Sequence, residues 1–199
     1  MKTLFMECNM GAAGDMLMGA LFELLPESGQ RTFLDTMNGI FPDKVMLSPV
    51  PSEKCGIWGT KMNVVILGQT EEEHGSGQEP HTHEHGAGCE PHTHEHGAGC
   101  EPHTHEHGAG SHHHHPLHVS YPEMLAQIDS LPVSDTVKED AKAVYALIGT
   151  AESNAHHTDI SQIHFHEVGT LDALMDVVGC CLLVEMLSPE QIIASPIHV

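Results

Sequence analysis

Apolar and polar positions divide the chain into two patterned regions separated by a long stretch with neither helical nor strand periodicity. "TLFMECNM" reads as an opening strand, "GAAGD" as a turn, and "DMLMGALFELL" as an amphipathic helix with Asp15 at its N-cap. A second, shorter helix is predicted over Gln30 to Met37. "VMLSPVPSE" and "GTKMNVVIL" then read as two strands of a hairpin, joined through the Gly-containing "KCGIWG".

Pattern returns at Val119. Ser120, Tyr121, Pro122 and Glu123 form a capping box with Pro in the first turn, so a helix is predicted to about Ser130. Another runs from near Ser134 to about Ala155, its apolar face carrying Val137, Ala141, Val144, Ile148 and Ala151. "QIHFHEVG" alternates like a strand entering a buried turn. From Thr170 to Leu187 a helix is expected to bury Leu171, Leu174, Met175, Val178 and Leu182, and "QIIASPIHV" begins a further strand. These elements predict an α/β or α+β fold, a small mixed sheet with flanking helices. Its order of strands is not readable.

The gap between the regions sets the domain organisation. Residues 70–118 hold 15 histidines and nine glutamates, with no Lys, Arg or aromatic residue. Such a segment cannot bury enough apolar surface to offset its ordering entropy, so it is expected to be a disordered linker in the absence of metal. Residues 1–69 and 119–199 are expected to complete one folded domain of about 150 residues between them.

Charge narrows the partners. With 7 Lys plus Arg against 28 Asp plus Glu, the formal net charge is −21, so nucleic acid and anionic membranes are not expected partners. None of the six cysteines forms a Cys-x-x-Cys pair, and Cys180 and Cys181 fall in an apolar helical pattern where they pack as small hydrophobes. Without a signal-peptide pattern or a run of membrane-spanning length, a reduced cytoplasmic location is expected.

Three stretches carry candidate chemistry. The first is an eleven-residue unit, "EPHTHEHGAGC", that recurs after Glu79. Its "HTHEH" places His81, His83 and His85 at alternate positions, then His92, His94 and His96, then His103, His105 and His107, before the run His112, His113, His114 and His115. In an extended chain alternate side chains project to one side, and neutral imidazole ligates nickel, zinc and copper. The competing reading is a purification tag or a charged spacer. A chain this flexible suits capture and delivery of a metal rather than catalysis.

The second stretch is "QIHFHEVGTLDALMD". Ile163 and Phe165 are expected to face a core, with His164 and His166 on the opposite side and Glu167 next in line. Asp172 and Asp176 lie four apart on one helix face. Imidazoles and carboxylates at a strand-to-helix junction suit a metal or acid–base site, whereas a surface strand and an Asp favouring a helix N-terminus are the plainer reading. The third, "CNMGAAGDMLMGA", has Gly11 and Gly14 in a turn before a helix, which is either an anion site or a tight turn that needs glycine. It lacks the P-loop lysine and the dinucleotide fingerprint.

Taken together, "ECNMGAAGDMLMGAL", "KCGIWGTKMNVVI", the histidine-rich stretch, "IHFHEVGTLDALMDVVG" and "IIASPIHV" resemble the LarC family of nickel-insertion proteins, in that family's order and over nearly the whole chain. The resemblance implies a chelatase of the lyase class. It would insert Ni2+ into pyridinium-3,5-bisthiocarboxylic acid mononucleotide, using CTP with a divalent cation such as Mg2+ or Mn2+, and supply the nickel-pincer cofactor to lactate racemase. His164, His166 and Glu167 become candidates for transient nickel ligand or base, with Asp172 beside them. Asp15 becomes a candidate for positioning substrate or a cation, and Gly11 and Gly14 for admitting the nucleotide phosphate. Family members continue past the residue matching Val199, so a C-terminal region is expected to be absent here, or to be encoded separately. The alternatives are a non-catalytic nickel storage or delivery protein and a general zinc or copper buffer. The residues leave the oligomeric state open, a homo-oligomer included.

Overall fold

The most apolar helix of the sequence is the one around which the others are arranged. A computed structural model describes residues 1–9, 11–54, 56–66, 69–70, 119–165 and 167–197. Strand β1 (Thr3–Met6) leads through the Gly turn into α1 (Gly14–Glu23), followed by α2 (Glu27–Asn38). Strands β2 (Val45–Lys54) and β3 (Ile57–Ile66) form the long hairpin, to which β4 (Gln69–Thr70) adds a short third strand. After residue 118 come β5 (Val119–Ser120), α3 (Tyr121–Ser130), α4 (Asp135–His156), β6 (His164–Phe165), α5 (Leu171–Leu187) and β7 (Gln191–Ala194).

The class is α/β, as the sequence predicts, with the strands divided among three small sheets. β1 pairs with β7 in parallel, while the β2–β3–β4 and β5–β6 pairings are antiparallel. Residues distant in sequence therefore meet twice, Thr3 with Gln191 and Val119 with Phe165. β2 carries Pro49 and Pro51, which a strand tolerates only at an edge, and β2 is an edge of its sheet.

α5 buries Leu174, Met175, Val178, Leu182, Leu183 and Leu187, while Leu171 is partly buried. α1 crosses between β3 and α5 and makes close backbone approaches to both. Gly19 lies against the Thr60 carbonyl, and a Cβ on Gly179 would come within 2.7 Å of Met18 Sδ. Met18, Met37, Met62, Met124 and Met175 are all fully buried, so flexible thioethers fill much of the space between helices. Cys180 and Cys181 are partly buried against this core, as expected.

Four local expectations are corrected. The N-cap of α1 is Ala13, without a side-chain bond, and Asp15 sits inside the first turn where it accepts from the Met16 N–H at 2.8 Å. The second helix is longer than the first, because it starts at Glu27 behind Pro26, whose φ of −65° is ready-made for a helix start. The inner face of α4 runs Val137, Ala141, Tyr145, Gly149, leaving Ala151 exposed; the large Tyr145 ring, tilted against that of Phe165, turns the helix toward itself. The strand expected in "QIHFHEVG" is two residues long, ended by the tight turn at Gly169, whose Cα faces the Phe165 side chain.

Candidate functional site

The Gly turn and the start of α5 are brought together. α1 packs along α5, so Gly14 meets the side chains one and two turns into that helix. A Cβ on Gly14 would lie 2.7 Å from Asp176 Cβ, and Cys180 Sγ donates weakly to the Gly14 carbonyl at 3.7 Å. Beyond it, Gly11 has φ of +90° and open space where a side chain would be, and its N–H donates to the Cys8 carbonyl at 3.2 Å. Cys8 is buried, and its own N–H donates to Ser195 Oγ at 2.8 Å, which ties the turn to the end of β7.

Carboxylates dominate this junction. Burial pushes the Cys180 thiol up to about 12, helped by the negative charges of Asp176 and Asp15 and by Cys181. Burial also raises the Tyr145 hydroxyl, with Asp172 and Asp176 adding to the shift. The charge of Asp176 bears on both groups, with Asp172 adding at Tyr145 and Asp15 at Cys180. Asp176 is half-buried, with Oδ1 sealed from solvent. The arrangement suits a nucleotide phosphate only together with a divalent cation, because a bare phosphate would meet like charge at the same helix end.

His164 stands in a second cluster. On β6, Ile163 and Phe165 turn inward and His164 outward, the alternation expected from sequence. β6 pairs with β5, which sets His164 opposite Ser120 at the start of α3. There the capping box closes: Ser120 N–H donates to Glu123 Oε2 at 2.8 Å, its hydroxyl donates to the same oxygen at 2.6 Å, and Glu123 N–H donates to Ser120 Oγ at 3.4 Å. These bonds hold the Glu123 carboxyl below its usual 4.5, and His164 is close enough to contribute.

Tyr145 bridges the clusters. Its hydroxyl donates to the Val168 carbonyl at 3.1 Å, and its ring lies 5.6 Å from that of Phe165, next in chain to His164. It thereby fixes the turn Glu167–Gly169 that leads into α5 and its Asp172. Sequence reading singled out Asp15, Asp172, Gly11, Gly14 and His164 but gave Glu123 only a capping role and placed Tyr145 nowhere; the rotation of α4 is what conceals it.

Among the described residues no group of three or more His, Cys, Asp or Glu is spaced to hold a metal ion. The expected ligands His81 to His115 and His166 lie outside the described residues, as does the Glu167 side chain. The same holds for the expected disorder of residues 71–118. Among the described residues no helix is long and apolar enough to cross a membrane.

Comparison with known proteins follows the motif order. Residues 4–199 match the family described as nickel insertion protein. A pyridinium-3,5-bisthiocarboxylic acid mononucleotide nickel insertion protein of Lactiplantibacillus plantarum is 34% identical over 208 residues, covering 99% of this chain and 40% of that protein. Proteins of the same name from Desulfitobacterium hafniense and Acetivibrio thermocellus are 31% and 28% identical, with 100% of this chain covered and 38% and 39% of theirs. The chain thus spans about 40% of the length of the curated relatives it matches. No solved structure matches. With nearly every residue matched, from the first strand through the Gly turn to the last, the chain belongs to the nickel insertion protein family.

Proposed function

We propose that this chain gathers Ni2+ on its histidine-rich segment and passes it to the His164 side of the folded domain. There the ion enters pyridinium-3,5-bisthiocarboxylic acid mononucleotide, the substrate in the relatives' name. The observation that carries this reading is the β5–β6 pairing. Val119, the residue that follows the histidine-rich segment, is in register with Phe165, and Ser120 with His164, so the chain resumes beside His164. A tether of that kind raises the local concentration of captured metal at its acceptor.

Insertion exchanges a ring C–H for a Ni–C bond while two thiocarboxylate sulfurs coordinate the metal, and one proton must leave. Neutral His164 or His166, or the carboxylates of Glu167 and Asp172, are the groups of this chain suited to receive it. Asp15 would position the divalent cation, Mg2+ or Mn2+, that accompanies CTP, with the phosphates approaching over Gly11, where no side chain intervenes. CTP, when bound, would supply activation of the substrate. Cys180, partly buried against the core, serves as a packing group. The product would go to lactate racemase. The part of the relatives that this chain does not span would complete the reaction in the manner of a second half.

The test is insertion in vitro. The purified chain is given Ni2+, CTP with Mg2+ and the dithio-pyridinium mononucleotide, with and without the remaining part of a relative, and the nickel product is read by mass spectrometry. His164→Ala combined with His166→Ala is expected to abolish product while equilibrium dialysis still finds nickel on the histidine-rich segment. Unchanged product overturns the roles of the two histidines. Nickel uptake with no product under any condition favours a storage protein.

A further inference from the structure

Among the described residues, one edge of β1 carries no neighbouring strand and lies along an apolar trough. Consecutive residues Leu4, Phe5, Met6, Glu7 and Cys8 all line a cavity of about 210 Å³. Side chains of a strand alternate between faces, so a cavity touched by every residue in turn runs along the edge of the strand and not against one face. The other edge is occupied: Gln191 and Ser195 donate to the Lys2 and Met6 carbonyls, so even-numbered residues turn their backbone groups toward β7. The N–H and C=O groups of Thr3, Phe5 and Glu7 therefore point to the opposite edge, where Phe5 and Glu7 line the trough.

Its opposite wall is α1. Met16, Ala20 and Leu24, spaced four apart, are all exposed and all line the cavity, Leu24 with 58% of its surface accessible. Phe5 is 61% accessible, and on β7 Ile192 and Ile193 are exposed as well. Parallel strands are ordinarily covered on both faces and extended by further strands. A two-stranded parallel pair with an open edge, an apolar floor and uncovered isoleucines has the features of an acceptor for strand addition.

From this geometry we infer that the trough between β1 and α1 is the docking site for one extended, apolar segment. That segment belongs to the polypeptide that makes up the remaining length of the curated relatives, of which this chain spans about 40%. The added strand pairs with Thr3, Phe5 and Glu7 and sets alternate side chains onto Met16, Ala20 and Leu24. This inference concerns a polypeptide surface and is independent of the reaction proposed above.

Two measurements test it. The first is hydrogen exchange on the intact Lactiplantibacillus plantarum relative and on this chain alone. Amides aligned with Phe5 and Glu7 are expected to exchange at least about tenfold more slowly in the intact relative. In the second, the remainder of that relative is expressed separately and titrated onto this chain. Ala20→Glu with Leu24→Glu, both on exposed positions, is expected to weaken binding at least about tenfold, while Leu147→Glu on the outside of α4 leaves it unchanged. Equal exchange in the two proteins, absence of binding, or binding indifferent to the trough variants overturns the inference. So does concentration-dependent self-association of this chain that the same variants abolish, since the occupant would then be a second copy.

Discussion

Gly14 is packed against Asp176 so closely that a Cβ on the glycine would stand 2.7 Å from Asp176 Cβ, inside any real carbon–carbon contact. The backbone of Gly14 is otherwise that of an ordinary first helical residue, where alanine is the better helix former. Gly14→Ala is therefore expected to destabilise the chain by about 1–3 kcal/mol through overpacking alone. Adding Asp176→Ala should recover most of that loss, giving a coupling of about 1 kcal/mol or more in a double-mutant cycle from urea unfolding. Additive effects would mean that helix α1 and helix α5 do not meet at these residues.

Glu123 predicts a pH dependence with a definite sign. Its carboxyl is held below 4.5 in the folded state, mainly by the Ser120 hydroxyl and then by the Ser120 N–H. A depressed carboxyl pKa contributes stability that is present above the unfolded value and is lost as pH falls through the folded one. The Tm of the native chain should exceed that of Glu123→Gln at pH 7, and the gap should close as the pH is taken below 4.5. A gap that persists unchanged into acid would remove the charged capping box. Ser120→Ala, which deletes the cap itself, is expected to cost about 1 kcal/mol at neutral pH.

Thiol reactivity checks the electrostatics of the α1–α5 junction. Cys180 and Cys181 are raised to about 12 and about 11 respectively, each first by burial. At pH 8 both should react with iodoacetamide at least about tenfold more slowly in the folded chain than in urea, because the thiolate is the nucleophile. Peptide mapping resolves the two sites, and rapid native-state labelling of Cys180 would contradict its placement beside Asp176.

Tyr145 and Phe165 test the link between the two clusters. Tyr145→Phe keeps the ring and removes one hydrogen bond to Val168, an expected loss of about 1 kcal/mol in urea unfolding. Phe165→Ala, which empties a fully buried ring site between Tyr145 and Tyr121, should cost about 3–5 kcal/mol. If the two substitutions cost the same, the ring contacts are not what holds the turn before α5.

Much of this fold is legible in the sequence because its signals are local. The Ser120–Glu123 capping box, the Ser134 cap and the 3.6-residue spacing of Leu171–Leu187 each specify their helix without help from distant residues. What is not legible depends on contacts across the chain. Nothing near Ala151 announces that α4 turns Tyr145 inward, because the reason is Phe165, twenty residues on. Likewise Gly14 reads as a turn glycine, yet its constraint comes from Asp176, on a helix more than 150 residues away. The division of strands into three sheets is set by pairings such as Thr3 with Gln191, which no periodicity encodes. For the candidate site, Asp15 and Asp172 are apparent as acidic residues at helix starts. That Asp176 stands against Gly14, next in chain to Asp15, is a product of how α1 lies on α5.

The prolines of β2 now acquire a second meaning. Pro49 and Pro51 fall two apart, so both lack an N–H on the same margin of the strand, the one turned away from β3. A neighbouring chain seeking to extend the hairpin would find two successive donors missing there, and polymerisation through that border is discouraged. β1 has no such guard. The molecule is therefore sealed along β2 and receptive along its first strand, a polarity that would steer any growth of sheet toward the Gly turn.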